Sequence, residues 1–137
     1  MIEGSCLCGW VRYEIEKAEL ISHCHCSMCR KAHGAAYASF ASVLPQNFRF
    51  TGGEDHVVSF QSAPDNVRTF CDTCGSNLPK LNRSGTSIVV PVGGLDDDPL
   101  VRPAFHMFVG SKASWHEIED DLPRFDEWVP GFEPNQR

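Results

Sequence analysis

The chain has 137 residues, a length typical of one folded domain. Hydrophobic residues make up 42% and charged residues 22%, so the sequence can form a core and is not compositionally disordered. The 18 acidic side chains outnumber the 12 basic ones and leave a formal net charge of −6. This charge excludes nucleic acid as an expected partner, because phosphates require a basic surface.

The sequence contains neither a candidate membrane-spanning stretch nor a segment that resembles a secretory signal. The longest stretch without a charged side chain or His covers residues 34–48 and contains Ser, Pro and Gln. Such a stretch is too short and too polar to cross a bilayer. The first residues contain no basic segment followed by an apolar one, so they do not resemble a secretory signal. We therefore expect a cytoplasmic protein with no membrane partner.

Short strand-like runs separated by turn residues follow one another along the chain. Val11, Tyr13 and Ile15 alternate with charged residues, which is the pattern of a strand with one buried face. One short helix is predicted over Ser27–His33, ended by Gly34. Further strand-like runs cover residues 36–43, 48–50, 57–60, 67–70, 88–92 and 104–109. This rhythm predicts an all-β fold with very little helix.

All seven cysteines are clustered in the first 74 residues, at Cys6, Cys8, Cys24, Cys26, Cys29, Cys71 and Cys74. An odd number of cysteines, spaced one or two residues apart, is a poor disulfide framework. A redox-active Cys-x-x-Cys pair normally begins a helix, whereas Cys74 is followed by Gly, Ser, Asn, Leu and Pro. Cys-x-Cys and Cys-x-x-Cys spacings instead place two sulfurs on one side of a turn, which favours zinc binding.

The cysteines divide by spacing into one group of three and two pairs. Cys24, Cys26 and Cys29 can present three sulfurs from a single loop. The other four form two bidentate pairs, Cys6 with Cys8 and Cys71 with Cys74. Four thiolates make a closed, structural zinc site, whereas three leave one position open to water, a thiol or a carbonyl. The sequence thus predicts one structural and one catalytic Zn²⁺ per chain.

An alternative closes the second site with a histidine, so that both zinc ions are structural. His23, His25 and His33 lie near enough in sequence to supply that ligand. His25 stands between two proposed ligands, so an extended backbone would point it away from their sulfurs, and His33 is the stronger candidate. His106 lies in the apolar run 104–109, where it either orients a substrate or is a hydrogen-bonded residue of the sheet.

Three cysteine motifs, taken in order, resemble those of one known family. The motifs are Gly4-Ser5-Cys6-Leu7-Cys8-Gly9, Cys24-His25-Cys26-Ser27-Met28-Cys29-Arg30-Lys31 and Cys71-Asp72-Thr73-Cys74-Gly75-Ser76. They are similar to the motifs of the glutathione-dependent formaldehyde-activating enzymes, a family that includes centromere protein V. The resemblance extends over roughly residues 3–126.

The resemblance implies a small β-tent fold of antiparallel sheets with short metal-binding loops, in which residues 1–137 form a single domain of this family. It implies that one zinc ion is structural and the other catalytic. The implied structural ligands are Cys6, Cys8, Cys71 and Cys74. The implied catalytic ligands are Cys24, Cys26 and Cys29.

The activity implied by the resemblance is that of a carbon–sulfur lyase or synthase acting on a thiol–aldehyde adduct, with glutathione and formaldehyde as the substrates in the family's name. An anionic thiol would need nearby cations, for which Arg30, Lys31 and Lys112 are the candidates. The alternative is a zinc-stabilised interaction domain without turnover. A methionine sulfoxide reductase of the B type would need a cysteine after Cys74, and the sequence contains none.

Overall fold

The computed structural model describes residues 1–131, so the last six residues of the predicted single domain lie outside the described part. The described residues form ten strands and one α-helix, which confirms the predicted all-β fold. No helix among them is both long and apolar enough to cross a membrane.

The strands are arranged in three small sheets. The first contains β1 (Ile2–Ser5), β2 (Arg12–Ile15) and β5 (Phe48–Gly52), in the antiparallel order β1-β2-β5. The second has the order β10-β3-β4-β9-β8, and its members are β3 (Leu20–Cys24), β4 (Ala38–Val43), β8 (Lys80–Leu81), β9 (Ile88–Pro91) and β10 (Pro103–Met107). The third is a two-stranded ribbon of β6 (Val57–Ala63) and β7 (Asn66–Cys71).

One pairing in the second sheet is parallel. β10 lies beside β3 with His106 opposite His23 and Met107 opposite Cys24, whereas the other pairs of that sheet are antiparallel. Because the two chain segments are far apart in sequence, this pairing brings the late part of the chain to the first metal loop.

The helix α1 (Ser27–His33) has the predicted bounds and begins where β3 ends. Gly34 ends it in the left-handed conformation, with φ of 59°. The remaining helical pieces are single 3-10 turns at Pro45–Asn47, Glu54–His56, Val92–Gly94 and Val109–Ser111.

A cluster of buried side chains joins the first two sheets. Tyr13 and Ile15 of the first sheet and Val11 just before β2 are at most 1% exposed, and they share this cluster with Val43 and Val90 of the second sheet. The period-two pattern of residues 11–15 therefore predicted the buried face correctly. Strands β1, β3 and β8 were not predicted, because they are short and show no clear alternation of apolar and polar residues.

Candidate metal centres and the adjoining cavity

Four thiols from two distant turns meet at one point. The Sγ atoms of Cys6, Cys8, Cys71 and Cys74 all lie within 4.8 Å of one another. Two of the separations are 3.5 Å, between Cys6 and Cys8, and 3.8 Å, between Cys8 and Cys71. A tetrahedral zinc site with Zn–S bonds of about 2.3 Å requires sulfurs about 3.8 Å apart. The donor set and its spacing therefore fit a closed zinc site.

The local backbone explains how each pair converges. Cys6 and Cys8 lie in the turn between β1 and β2, and Gly9 follows them with φ of 82°. Cys71 ends β7, and Gly75 follows its partner with φ of 75°. Positive φ at glycine turns the backbone so that its N–H groups approach the sulfurs, and the N–H of Val11 donates to Cys6 Sγ at 3.3 Å.

The other three thiols form a second cluster at the junction of β3 and α1. Cys24 is the last residue of β3, Cys26 caps the helix, and Cys29 lies in its first turn. Their Sγ atoms also lie within 4.8 Å of one another. The Cys26 sulfur accepts a hydrogen bond of 3.3 Å from the N–H of Cys29, so the helix cap and the cluster share one geometry.

Ionisation of one clustered thiol opposes the ionisation of its neighbours. Hydrogen bonds from the Cys24 and Cys29 thiols lower the pKa of Cys26 to about 2, while the neighbouring Cys26 raises the pKa of Cys24 far above its ordinary value. A divalent cation removes this repulsion, because it stabilises all three thiolates together. Three soft sulfur donors from one loop fit zinc.

None of the described histidines completes the three-cysteine cluster. The potential metal-binding group at this position contains Cys24, Cys26 and Cys29 alone. The ring of His33 packs edge-on against Phe40 at 5.2 Å, and His25 is completely buried and hydrogen-bonded to a second histidine. Within residues 1–131, the geometry therefore favours the three-ligand arrangement over the closed alternative.

A cavity of about 360 Å³ adjoins the three-cysteine cluster, and Cys24, Cys26 and Cys29 form part of its wall. This volume lies in the range of small-molecule sites. The cavity lining includes six apolar side chains, those of Met28, Phe40, Val89, Met107, Phe108 and Trp128. It also includes three cations, Arg68, Lys80 and Arg83. A ligand that fills the cavity would contact both thiols and cations.

Two of the three cations have no carboxylate partner among the described residues. Arg68 Nη2 lies 3.6 Å from Cys29 Sγ, and Lys80 Nζ donates to Asn66 Oδ1 at 2.7 Å. Arg83 differs, since it pairs with Asp65 at 3.2 Å. Burial and the nearby Arg68 lower the pKa of Lys80 to about 8. Arg68 and Lys80 thus place at the cavity positive charge that no described carboxylate neutralises.

The cations named from the sequence have other contacts. Arg30 donates to the backbone oxygens of His25 and Ser111, Lys112 donates to the backbone oxygen of His116, and Lys31 is exposed. None of these three lines the cavity. Arg68 and Lys80 were missed because β7 and β8 reach the cluster only through tertiary packing, and no local motif marks them.

Comparison with known proteins identifies the family. The model of the glutathione-dependent formaldehyde-activating enzymes matches residues 1–111. The chain belongs to this family. Membership confirms the resemblance carried by the three cysteine motifs.

Two relatives extend this finding. A protein of Halomonas elongata that bears the name of the glutathione-dependent formaldehyde-activating enzymes is 33% identical over 129 residues, which cover 87% of this chain and 82% of the relative. The crystal structure of a Rhodobacter sphaeroides protein is similar, with a TM-score of 0.61 and 27% identity over 70% of this chain and 89% of the other. The family match ends before Trp128, which lines the cavity, and before Asp120, which is hydrogen-bonded to His106.

Proposed function

We propose that this protein is a zinc-dependent carbon–sulfur lyase or synthase acting on the adduct of a thiol and an aldehyde. The proposal depends on the contrast between the two thiol clusters, because four cysteines complete one site whereas three line a cavity of small-molecule size. The family description supports glutathione and formaldehyde as the substrates. We take residues 1–137 as one cytoplasmic domain.

In this proposal each cluster holds one zinc ion. The structural ligands are Cys6, Cys8, Cys71 and Cys74, and the catalytic ligands are Cys24, Cys26 and Cys29. An ion with three protein ligands, when bound, supplies a position that lowers the pKa of a thiol or polarises an aldehyde oxygen.

The reaction needs little more than correct placement of its two partners. The thiol sulfur attacks the aldehyde carbon, a carbon–sulfur bond forms, and the thiol proton ends on the aldehyde oxygen; the reverse reaction breaks that bond. Three thiolate ligands leave the site with less Lewis acidity than neutral ligands would. The apolar wall with Phe108 and Trp128 excludes water, and holding the reactants in contact contributes most of the acceleration.

The charge of the cavity supports a thiol that carries a carboxylate. Arg68 and Lys80 face the cavity without an acidic partner among the described residues, and a half-buried cation gains from an anion in contact with it. Glutathione carries two carboxylates and one thiol, so it matches both the cationic wall and the metal site. Binding its charged end at Arg68 and Lys80 would direct the sulfur toward the three cysteines.

The test combines metal analysis with exchange measurements. Zinc-loaded protein is expected to contain two zinc ions per chain and to accelerate the exchange between S-hydroxymethylglutathione and free glutathione plus formaldehyde, measured by exchange NMR. The adducts of 3-mercaptopropionate and of its uncharged amide serve as a matched pair, and the carboxylate is expected to react with the higher kcat/KM. Cys26→Ser is the control for uncatalysed exchange.

Two results would reject the proposal. Fully metallated protein that accelerates none of these adducts would instead be a zinc-stabilised interaction domain. Protein that binds a single zinc ion would remove the basis for a catalytic site.

A further inference from the structure

A chain of hydrogen-bonded polar side chains runs from an exposed carboxylate in the carboxy-terminal segment to two buried histidines beside the three-cysteine site. His25 Nε2 lies 2.8 Å from His106 Nδ1, and His106 Nε2 lies 2.9 Å from Asp120 Oδ2. His25 is 0% and His106 1% exposed. Two imidazoles buried in series against a carboxylate are costly to desolvate unless their hydrogen bonds are satisfied. Because apolar side chains would fill the same space without this cost, we expect the two histidines to have a function.

The carboxylate sets the direction of every hydrogen bond in the chain. The Asp120 carboxylate can only accept, so a neutral His106 carries its single proton on Nε2 and leaves Nδ1 as an acceptor. His25 must then donate from its own Nε2. Its Nδ1 is buried and has no partner among the described residues, which agrees with a neutral ring whose single proton is already used. The Asp120 carboxylate, at the solvent-exposed end of the hydrogen-bond chain, thus selects one tautomer of each histidine.

At the inner end of this hydrogen-bond chain, His25 fixes the backbone between Cys24 and Cys26. The N–H of His25 donates to the Met107 oxygen at 3.0 Å, and its carbonyl accepts from Arg30 Nε at 3.3 Å. The side-chain bond to His106 adds a third point of attachment. Since Cys24 and Cys26 are the direct neighbours of His25, rotation of this residue would displace both sulfurs.

The chain and the cavity lie on opposite sides of the paired strands β3 and β10. His106 and Met107 are successive residues of a strand, so their side chains point to opposite faces, and Met107 lines the cavity with Cys24. His106 and Asp120 do not line that cavity. They are therefore placed to position the metal loop rather than to touch a substrate.

We propose that Asp120 is a positioning residue for the three-cysteine site and acts on it through His106 and His25. The inference rests on the proposed zinc binding at that site. Groups that orient metal ligands from outside the coordination sphere commonly change metal affinity by about tenfold or more when removed. His25 and His106 lie within the residues matched by the family model, and Asp120 lies beyond them.

The test compares Asp120→Ala with Asp121→Ala, its exposed neighbour, in the full-length, zinc-loaded protein. We expect Asp120→Ala to weaken zinc binding at the three-cysteine site about tenfold in chelator competition. Binding at the four-cysteine site and the unfolding midpoint are expected to stay as in Asp121→Ala. Asp120 also accepts from the N–H of Leu122 at 3.0 Å. Asp120→Asn retains an acceptor for that turn but loses the negative charge. Its zinc affinity at the three-cysteine site should therefore lie between those of Asp120→Ala and Asp121→Ala.

Imidazole ¹⁵N NMR tests the hydrogen-bond chain itself. The wild type is expected to show His25 and His106 protonated on Nε2, and Asp120→Ala to lose the single tautomer at His106. A wild type with His106 protonated on Nδ1, or zinc affinity unchanged in Asp120→Ala, would overturn the positioning role. Equal weakening of both zinc sites would overturn it too, since that indicates general destabilisation. A wild type that binds no zinc at the three-cysteine site would instead reject the proposed function.

Discussion

At the scale of single residues, Cys71 and Cys26 represent two different surroundings for a cysteine, the main core and the cavity. Cys6 and Cys71 are 4% and 1% exposed and pack within the main buried cluster. Cys26 is only partly buried and adjoins the cavity. The same residue type therefore contributes to folding at one site and is available for chemistry at the other.

This division predicts opposite outcomes for two serine variants. Cys71→Ser removes a ligand from the proposed structural zinc site. Such a site contributes folding free energy on the order of 10 kcal/mol, so soluble yield and the unfolding midpoint should fall sharply. Cys26→Ser should abolish exchange activity while leaving the circular dichroism spectrum and the unfolding midpoint close to the wild type. Equal loss of folding in both variants would contradict the separate roles.

Lys80 predicts a pH dependence that only charged substrates will show. Its pKa is lowered from 10.5 to about 8, mainly by burial, so Lys80 is a cation below pH 8 and loses its charge as the pH rises through that value. The kcat/KM ratio of 3-mercaptopropionate to its amide is therefore expected to fall above pH 8. Comparing both adducts at each pH cancels the ionisation of the thiol itself.

Lys80→Met is the matched control for that profile. Loss of one charged hydrogen bond is expected to lower kcat/KM for the carboxylate adduct about tenfold at pH 7. The kcat/KM ratio of the two adducts should then no longer fall above pH 8. A ratio that stays flat in the wild type would show that Lys80 does not contact the carboxylate.

At the scale of the elements, the turn after β5 packs directly on the turn that precedes β2. Gly53 has φ of 68°, and a Cβ atom there would lie 2.0 Å from the Trp10 carbonyl oxygen. The Trp10 ring also stacks on His56 at 4.8 Å. Because Trp10 follows Cys8 and Gly9, this contact supports the backbone that presents the first pair of structural thiols.

Gly53→Ala should therefore lower the free energy of unfolding by more than the strain of a left-handed alanine alone. We expect a loss of about 3 kcal/mol or more in the free energy of unfolding, since backbone must move to admit the methyl group. Gly85 has a similar φ of 71° with no atom within 4 Å of the added Cβ, so Gly85→Ala should cost about 1 kcal/mol. Denaturant unfolding of the zinc-loaded variants measures both, and equal losses would show that the Trp10 contact is unimportant.

At the scale of the whole molecule, the four-cysteine cluster links segments that no strand pairing joins. Cys8 and Cys71 are 63 positions apart, and their sulfurs lie 3.8 Å from each other. A metal that joins the amino-terminal turn to the β6–β7 ribbon closes a long loop and adds stability to the entire fold.

Chelation is therefore expected to remove the two zinc ions in distinct steps. The ion at the three-cysteine site should leave first, without a change in circular dichroism, because its ligands come from one loop. The second should leave only as the protein unfolds. Simultaneous measurement of zinc release and circular dichroism tests this order, and Cys26→Ser should show the second step alone. Unfolding during the first step, or a fold that persists after both, would contradict the prediction.

The sequence by itself determined the features that depend on residues close together in the chain. The two cysteine groups follow from Cys-x-Cys and Cys-x-x-Cys spacing, and the helix follows from its cap and Gly34, because each is a matter of a few backbone dihedral angles. The strand pattern around Tyr13 likewise predicted the buried face of Val11, Tyr13 and Ile15, since alternation is a local property of a half-buried strand. It did not predict the burial of Glu14, which lies beside Arg49 of the paired strand β5.

Only the tertiary structure decided which distant residues surround those thiols. Lys80 reaches the cavity through the pairing of β8 with β9, and His106 reaches His25 because β10 lies parallel to β3. Asp120 completes the chain from a segment without regular structure. Such long-range contacts depend on strand order and register. Both arise from the packing of the whole sheet, so no local sequence pattern predicts them.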